Sequence, residues 1–452
     1  MKNRIKQYLL AASMCVGLTA CSDFFEPIPG VQFGLDETFA SKQRTEEYLN
    51  NVYSYVREVT DAIHPNTYGG IFTEASLDGA NRWNKTYAEW TNGSFNSASA
   101  QASEYFSKYY QAIAKASTFI QNVDKCTEAA ASTRGKWKSE ARALRAYYYF
   151  ELLRLYGPIP LIGEDPIPLD ASLEELIKER NSVDECVNFI ATELQSAIDS
   201  GDLLQRAGKA NLGRMDVATC MALKAKLYLY WASPLFNGNT DQASVKNKDG
   251  KQLFPQTEDN SKWAQARDAY ERFMTFATGQ GYKLTEVYTN GKLDPYASCR
   301  AAGEFFTTTW EAVDELIFVK LRDLYDYTYW VCPKFTDFQD TDVTGGGGYY
   351  TTQETVDLFF TKDGLTIEED PGYDKFEGIP SANNFTSGRY YDPNNPSRLY
   401  FDADKSKVLK QWKDREPRFY VNITYSGSIW LNEGKYNEEM RTDFTNLSLI
   451  HI

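Results

Sequence analysis

The sequence predicts a mostly α-helical protein built of irregular TPR-like helix pairs with loop and short β insertions, and three observations predict it. Apolar residues recur at steps of three and four in six separate segments, the spacing that lines up one face of a helix. Helix starts near residues 104 and 134, and again near 183 and 214, lie about 30 residues apart, close to the roughly 34 of a TPR helix pair. The stretch 140–162, EARALRAYYYFELLRLYGPIPLI, has the composition of a helix enclosed by others. A generic helical bundle would show the same periodicity, so spacing alone does not separate it from a TPR-like stack.

Trp137, Ala141, Leu144, Tyr148, Leu152 and Leu155 place one apolar stripe on this central helix. Tyr147, Tyr148 and Tyr149 add aromatic bulk on three sides, which requires neighbours all round. Gly157 falls where a helix end adopts positive φ, and Pro158 and Pro160 prevent another turn. The run Ala141, Arg142, Leu144, Arg145, Ala146, Tyr147, Tyr148, Phe150, Leu152, Arg154, Leu155, Tyr156, Gly157, Pro158 and Pro160 resembles the signature of the SusD/RagB family of Bacteroidetes outer-membrane lipoproteins. The resemblance implies a TPR-built protein that binds nutrient, usually a glycan, and caps a TonB-dependent (SusC-like) transporter. It equally admits a peptide-binding, RagB-like member.

At the N-terminus Lys2, Arg4 and Lys6 precede a short apolar run, Tyr8 to Ala20, too short to span a bilayer and therefore expected to be a signal peptide, residues 1–20. Leu18-Thr19-Ala20-Cys21 is similar to a bacterial lipobox, which makes Cys21 the expected lipidation site and the new N-terminus. Several acyl chains would anchor the protein, at about 0.8 kcal/mol per buried CH₂. Ser22, Asp23 and Glu26 resemble the surface-export signal of the same phylum, so the expected location is the outer membrane, facing the exterior.

Loss of the three basic residues of this segment leaves 45 Lys and Arg against 62 Asp and Glu, a net charge of −17. That balance argues against nucleic acid or an anionic membrane surface as partner and leaves neutral ligands open. Aromatics make up 15% of the chain, more than a core of this size needs, so some face outward. Apart from Cys15 and Cys21, five cysteines, Cys126, Cys186, Cys220, Cys299 and Cys332, show no metal spacing and are expected to be free thiols, mostly buried.

The remaining helices follow in order. Leu49, Val52, Val56 and Val59 mark one; Phe106, Tyr109, Ile113, Ala116 and Ile120 the next, ahead of the central helix. Val187, Ile190, Leu194 and Ile198, then Val217, Met221, Ala225, Tyr228 and Trp231, then Trp263, Ala266, Tyr270, Phe273 and Ala277 mark three more. Stacked pairs bury a continuous core and leave inserted loops free to carry function.

Two insertions stand out. Residues 69–96 hold Trp83, Tyr87 and Trp90 among Asp78, Asn81, Arg82 and Asn84. Flat rings offer apolar faces to the C–H side of a sugar, and Asp, Asn and Arg supply planar hydrogen-bonding groups for its hydroxyls. The same three aromatics, at steps of four and three, would also suit a small satellite core. Residues 282–350 contain Tyr288, Tyr296, Tyr325, Tyr327, Tyr329 and Trp330; Leu316 to Leu321 reads as a strand, followed by aromatics alternating along one side. An exposed aromatic ladder and a β-ribbon packed on a helix both fit. The candidate glycan-binding residues are therefore Asp78, Asn81, Arg82, Trp83, Tyr87, Trp90, Tyr296, Tyr327, Tyr329 and Trp330.

Only His64 and His451 occur, which excludes histidine triads and histidine metal sites. Carboxylates abound, so a helical glycoside hydrolase remains an alternative, although no motif supports one. Asp337, Asp340 and Asp342 lack EF-hand spacing and read as a solvated loop, and no cofactor is expected. Asp414 to Tyr420, DREPRFY, resembles a turn of the family, with Arg415 and Arg418 expected as ion-pair partners. Leu447 to Ile452 matches the translation of a transposon end and is expected to be non-native, making 21–446 a SusD-like domain truncated at its C-terminus.

Overall fold

The computed structural model describes residues 34–56, 76, 79–81, 89, 93–163, 167, 171–303, 314–320, 349–375, 380–403, 407–425, 427–431 and 439–441. Its first half is a stack of helices: α1 (Leu35–Ala40), α2 (Lys42–Tyr53), α3 (Ala100–Asn122), α4 (Ala131–Tyr156), the one-turn α5 (Leu173–Leu176), α6 (Val183–Asp199), α7 (Val217–Ala232) and α8 (Ser261–Gly279). Packing follows chain order: α3 lies on α4, α4 on α6, α6 on α7 and α7 on α8. The predicted helical architecture is what forms, with the six periodic segments in place.

α4 is the enclosed element. From Ser139 to Leu153 every residue except Arg142 is buried. Its last turn ends at Gly157, with φ +68°, and a Cβ there would lie 3.0 Å from the Phe254 ring. Glycine thus meets two demands at once, a backbone region costly for L-residues and a close neighbour. α6 starts with a capping box: Ser182 N donates to Glu185 Oε2 (2.7 Å) while Glu185 N donates to Ser182 Oγ (3.3 Å). Asp216 caps α7 by accepting from Thr219 N at 2.7 Å.

Such complete burial of α4 encloses charges as well, and each is paired. Arg145 donates through Nε to Glu193 (2.7 Å) and through a terminal nitrogen to Ser117 Oγ (3.0 Å), while Arg142 reaches the other oxygen of Glu193 at 3.0 Å. Glu140 accepts from Tyr53 Oη at 2.9 Å and faces Arg214 Nε at 3.4 Å. Burial nonetheless raises its pKa, against the pull of Arg214 and the Tyr53 hydrogen bond. Three cysteines, Cys126, Cys186 and Cys220, are buried free thiols, Cys299 is half-buried, and Cys332 lies outside the described residues.

Apart from β1 (Ala80–Asn81), which lies between α2 and α3, the described strands fall in the second half. It contains α9 (Pro295–Gly303), α10 (Gln353–Asp357), α11 (Pro417–Asn422) and strands β2 (Tyr288–Thr289), β3 (Lys292–Leu293), β4 (Tyr349–Tyr350), β5 (Phe385–Thr386), β6 (Arg389–Asp392), β7 (Asn395–Asp402), β8 (Val408–Leu409), β9 (Ile429–Leu431) and β10 (Glu439–Arg441). Among the described residues the ladders are all two-stranded and antiparallel: β1–β4, β2–β3, β5–β8, β6–β7 and β9–β10. Behind β6 and β7 sits a separate aromatic core of Tyr400, Phe401, Trp412, Phe419, Tyr420 and Tyr425, with Tyr296, Phe359 and Tyr390 against it. Tyr400 and Tyr420 stack face to face at 3.9 Å.

Three expectations need correction. Phe106 and Trp263, read as stripe residues of the core, are 39% and 43% exposed, because the inward faces of α3 and α8 are supplied by Tyr109, Ala112 and Ala116 and by Ala266, Ala269 and Phe273. Of the run Leu316 to Leu321, residues 316–320 form no ladder; they cross the helices as a strap that bends at Ile317 and Phe318. Arg418 pairs with Glu416 (2.7 Å) as expected, but Arg415 is buried and donates instead to the carbonyls of Val356 and Phe359. Its guanidinium fork draws together carbonyls at the end of α10 and just beyond it, which an exposed ion pair would not.

Candidate ligand-binding site

The strap sets the position of the second insertion. Lys320 Nζ donates to Val56 O (2.6 Å) and Ser54 O (3.3 Å), just past the end of α2, where a cation meets open carbonyls. Ile317 O accepts from Thr219 Oγ1 at 3.4 Å, and the Phe318 ring meets Tyr147 of α4 edge-on at 6.2 Å. At the strap's start Asp314 bridges Arg206 (2.9 Å) and Lys283 (3.4 Å). Gly213, at φ +80°, lets the strap pass: a Cβ there would stand 2.9 Å from Val319 O. The second insertion is thus tied to the helical face that α2, α4 and α7 present.

The two insertions meet. β1, from the first, pairs with β4, from the end of the second, with Ala80 opposite Tyr350 and Asn81 opposite Tyr349. Two backbone pairs are a small ladder, yet they join stretches roughly 270 residues apart; in sequence β1 leads into Trp83, Tyr87 and Trp90, and β4 follows the four glycines 345–348. Sequence reasoning treated the insertions as separate candidates, because two-residue strands leave no periodicity to read.

Of the predicted site residues, Asn81 is placed on β1 by its backbone. Asp78, Arg82, Trp83, Tyr87, Trp90, Tyr327, Tyr329 and Trp330 lie outside the described residues, as do Cys21, Asp337, Asp340 and Asp342. Tyr296 opens α9 and is half-buried; its ring lies 5.5 Å from that of Tyr400, with the Arg398 guanidinium 4.3 Å from its centroid. Arg398 in turn donates to both oxygens of Asp294 (2.9 and 2.8 Å) and to Asp392 (2.8 Å). That pairing holds the Asp294 carboxyl well below the usual carboxylate range. Tyr296 is therefore set in a rigid charged and aromatic mount at the edge of the second core.

Charged residues in the described regions are chiefly structural. Glu140, Glu193 and Asp216 are each occupied by cations or backbone donors inside the fold. Among the described residues no three potential metal ligands come together, and no helix is long and apolar enough to cross a membrane.

The comparisons agree with this architecture. A family model described as "Starch-binding associating with outer membrane" matches residues 32–229, and one described as "SusD family" matches 315–449. A SusD-like protein of Bacteroides ovatus is 27% identical over 175 residues, which cover 37% of this chain and 30% of that protein. The match thus spans less than a third of the relative's length. The structure of BT4246 superposes with a TM-score of 0.72 at 23% identity, covering 91% of this chain and 69% of that one. A SusD-like protein of Bacteroides fragilis, BF3747, gives 0.64 at 18% identity over 91% and 67%. A third, BF0978 of the same species, described as a SusD-like carbohydrate binding protein, gives 0.55 at 17% identity over 89% and 62%. At these identities the structures speak for the fold. With models of one family laid along both halves of the chain, residues 32–229 and 315–449, the chain belongs to the SusD/RagB family.

Proposed function

We propose that this protein captures a glycan at the outer-membrane surface, leaves it chemically unchanged and passes it to a partner TonB-dependent transporter, held to the membrane by lipid on Cys21. The observation that supports the reading most is the β1–β4 ladder, which joins residues 80–81 of the first insertion to residues 349–350 at the end of the second on a helical scaffold of this family. Its support is threefold. One matching family model is described as starch-binding and associated with the outer membrane. Trp83, Tyr87 and Trp90 beside Asp78, Asn81 and Arg82, with Tyr327, Tyr329 and Trp330 from the partner insertion, supply stacking faces together with planar hydrogen-bonding groups. The buried carboxylates Glu140, Glu193 and Asp392 are engaged in structural ion pairs and are thereby tied up inside the fold.

Tryptophan fluorescence of the chain starting at Ser22, titrated with a panel of polysaccharides and peptides, tests it. A saturable change with one glycan and no release of reducing ends is the expected result. Trp83→Ala and Trp90→Ala should each weaken binding at least tenfold while the circular dichroism and melting curve stay unchanged. A response to peptides alone, or loss of folding in place of binding in both variants, would overturn the glycan platform.

A further inference from the structure

A cavity of about 430 Å³ opens between α3, the turn at Pro160 to Ile162 and the one-turn α5, within the roughly 300–1,000 Å³ of small-molecule sites. Phe106, Tyr110, Ile113, Ala114 and Ser117 line it from α3. They fall at i, i+4, i+7, i+8 and i+11, one continuous helix face. Its inner edge rests on α4, where Phe106 and Tyr110 meet Tyr156 and Tyr149 edge-on, and among the described residues no helix covers its outer side; across the opening stand Leu176, 51% exposed, and Ile177, 69% exposed. Apolar side chains so placed form a lip in water, an arrangement that marks a binding surface more often than a packing one.

The wall offers sugars little. Tyr110 Oη donates to Pro160 O at 2.7 Å, and Ser117 Oγ accepts from Arg145 at 3.0 Å, so both hydroxyls are already used inside the fold. A ligand rich in hydroxyls would lose its water partners there without replacement. Lys178 is the one charged residue among those lining the cavity, and it stands exposed at the mouth. The nearby Glu175 carboxylate is held chiefly by its own capping box, accepting from Ser172 N at 2.7 Å and Ser172 Oγ at 2.9 Å, with the Lys178 charge a smaller attraction.

We propose that this cavity binds a small amphipathic carboxylate, its apolar tail lying along Phe106, Tyr110 and Ile113 beneath Leu176 and its carboxylate at the Lys178 ammonium. Charge complementarity selects an anionic head, and the dry wall selects a hydrocarbon tail. None of the residues lining the cavity belongs to the aromatic insertions, so its test is independent of glycan binding.

Calorimetric titration with octanoate, nonanoate and decanoate below their aggregation limits reads it directly. The expected result is one site per chain, with affinity rising about fourfold per added methylene until the cavity is full. Lys178→Gln should weaken decanoate about two- to fivefold, a difference that vanishes in high salt, and should leave decanol unaffected. Ala114→Trp fills the cavity from an exposed helix position and should abolish binding with helicity and melting temperature retained. Absence of saturable binding by decanoate at millimolar concentration, or full binding by folded Ala114→Trp, overturns the site. Equal affinity for decanol and decanoate in the parent protein overturns the carboxylate assignment.

Discussion

Around α4 the buried residues come from helices that touch their neighbours in the chain, and the charges among them are paired within one layer, Arg145 with Glu193 and Glu140 with Arg214. Around Tyr400 and Tyr420 the buried residues come from short strands and single turns, fastened by links across long stretches of chain: Arg398 to Asp294, Arg415 to the carbonyls of Val356 and Phe359, and Tyr373 to the carbonyl of Gln411. The first region draws much of its order from local hydrogen bonds, so its segments are helices before they pack. In the second, a strand of two residues has no stability of its own, and the aromatic cluster decides the backbone. The difference should appear in how each region fails.

The largest effect is expected from Arg145→Ala. It leaves Glu193 buried with Arg142 as its remaining cation, and breaking a buried pair costs about 3–5 kcal/mol. Denaturant unfolding should show a midpoint shift of the whole helical stack. A shift below about 1 kcal/mol would mean that Arg142 alone satisfies Glu193 and that α4 tolerates less perfect pairing than its burial suggests. Next comes Tyr420→Ala, which removes one half of the 3.9 Å stack at about 3 kcal/mol. Hydrogen exchange should lose protection over residues 356–425 while amides of α3, α4 and α6 keep theirs. Equal loss in α4 would show that the two cores unfold as one unit. Gly157→Ala is smaller, about 1–2 kcal/mol, from the positive φ and the contact with Phe254; thermal melts compared with Gly201→Ala, which has positive φ and open space, separate the two contributions.

The mildest test is acid, and its sign differs between regions. Asp294 has its pKa lowered, first by the Arg398 hydrogen bond, so its stabilisation is present above about pH 4 and is lost as pH falls through the depressed value. Glu140 has its pKa raised by burial, so its contribution is complete below about pH 4.3 and is lost as pH rises through the folded-state value. Lowering pH from 6 to 3 should therefore loosen the segment around α9 and β7 before this end of α4. Peptide-resolved hydrogen exchange, corrected for the intrinsic pH dependence, checks the order, and the reverse order would contradict these assignments.

The helical half was legible in detail. Spacing placed α3, α4, α6, α7 and α8 within a few residues, whereas α2 ends at Tyr53, short of Val56, with Val59 outside the described residues; Gly157 was read correctly as the stop of α4. Legibility failed where a residue's partner lies far away in the chain. Phe106 keeps helical spacing whether it faces a core or a cavity, because amphipathic period says which residues share a face and not what covers it. Arg415 looks like any surface arginine until α10 presents its carbonyls. The strap of residues 314–320 has the apolar content of a strand, yet its hydrogen bonds go to helix ends and a threonine side chain. For the ligand site, composition marked both insertions, and Asn81 alone of the first insertion's candidates is now placed, on β1.

By itself the sequence determined what depends on neighbours within about four residues: the helices, their caps, the enclosure of α4 and the aromatic stock of the insertions. Only the tertiary structure decided that the insertions meet at β1 and β4, that α3 turns a second apolar face toward a cavity, and that Tyr296 is mounted between Arg398 and Tyr400. Those outcomes depend on closing loops of tens to hundreds of residues. The contacts that reward such closure are spread over both ends of the chain, and no local spacing encodes them.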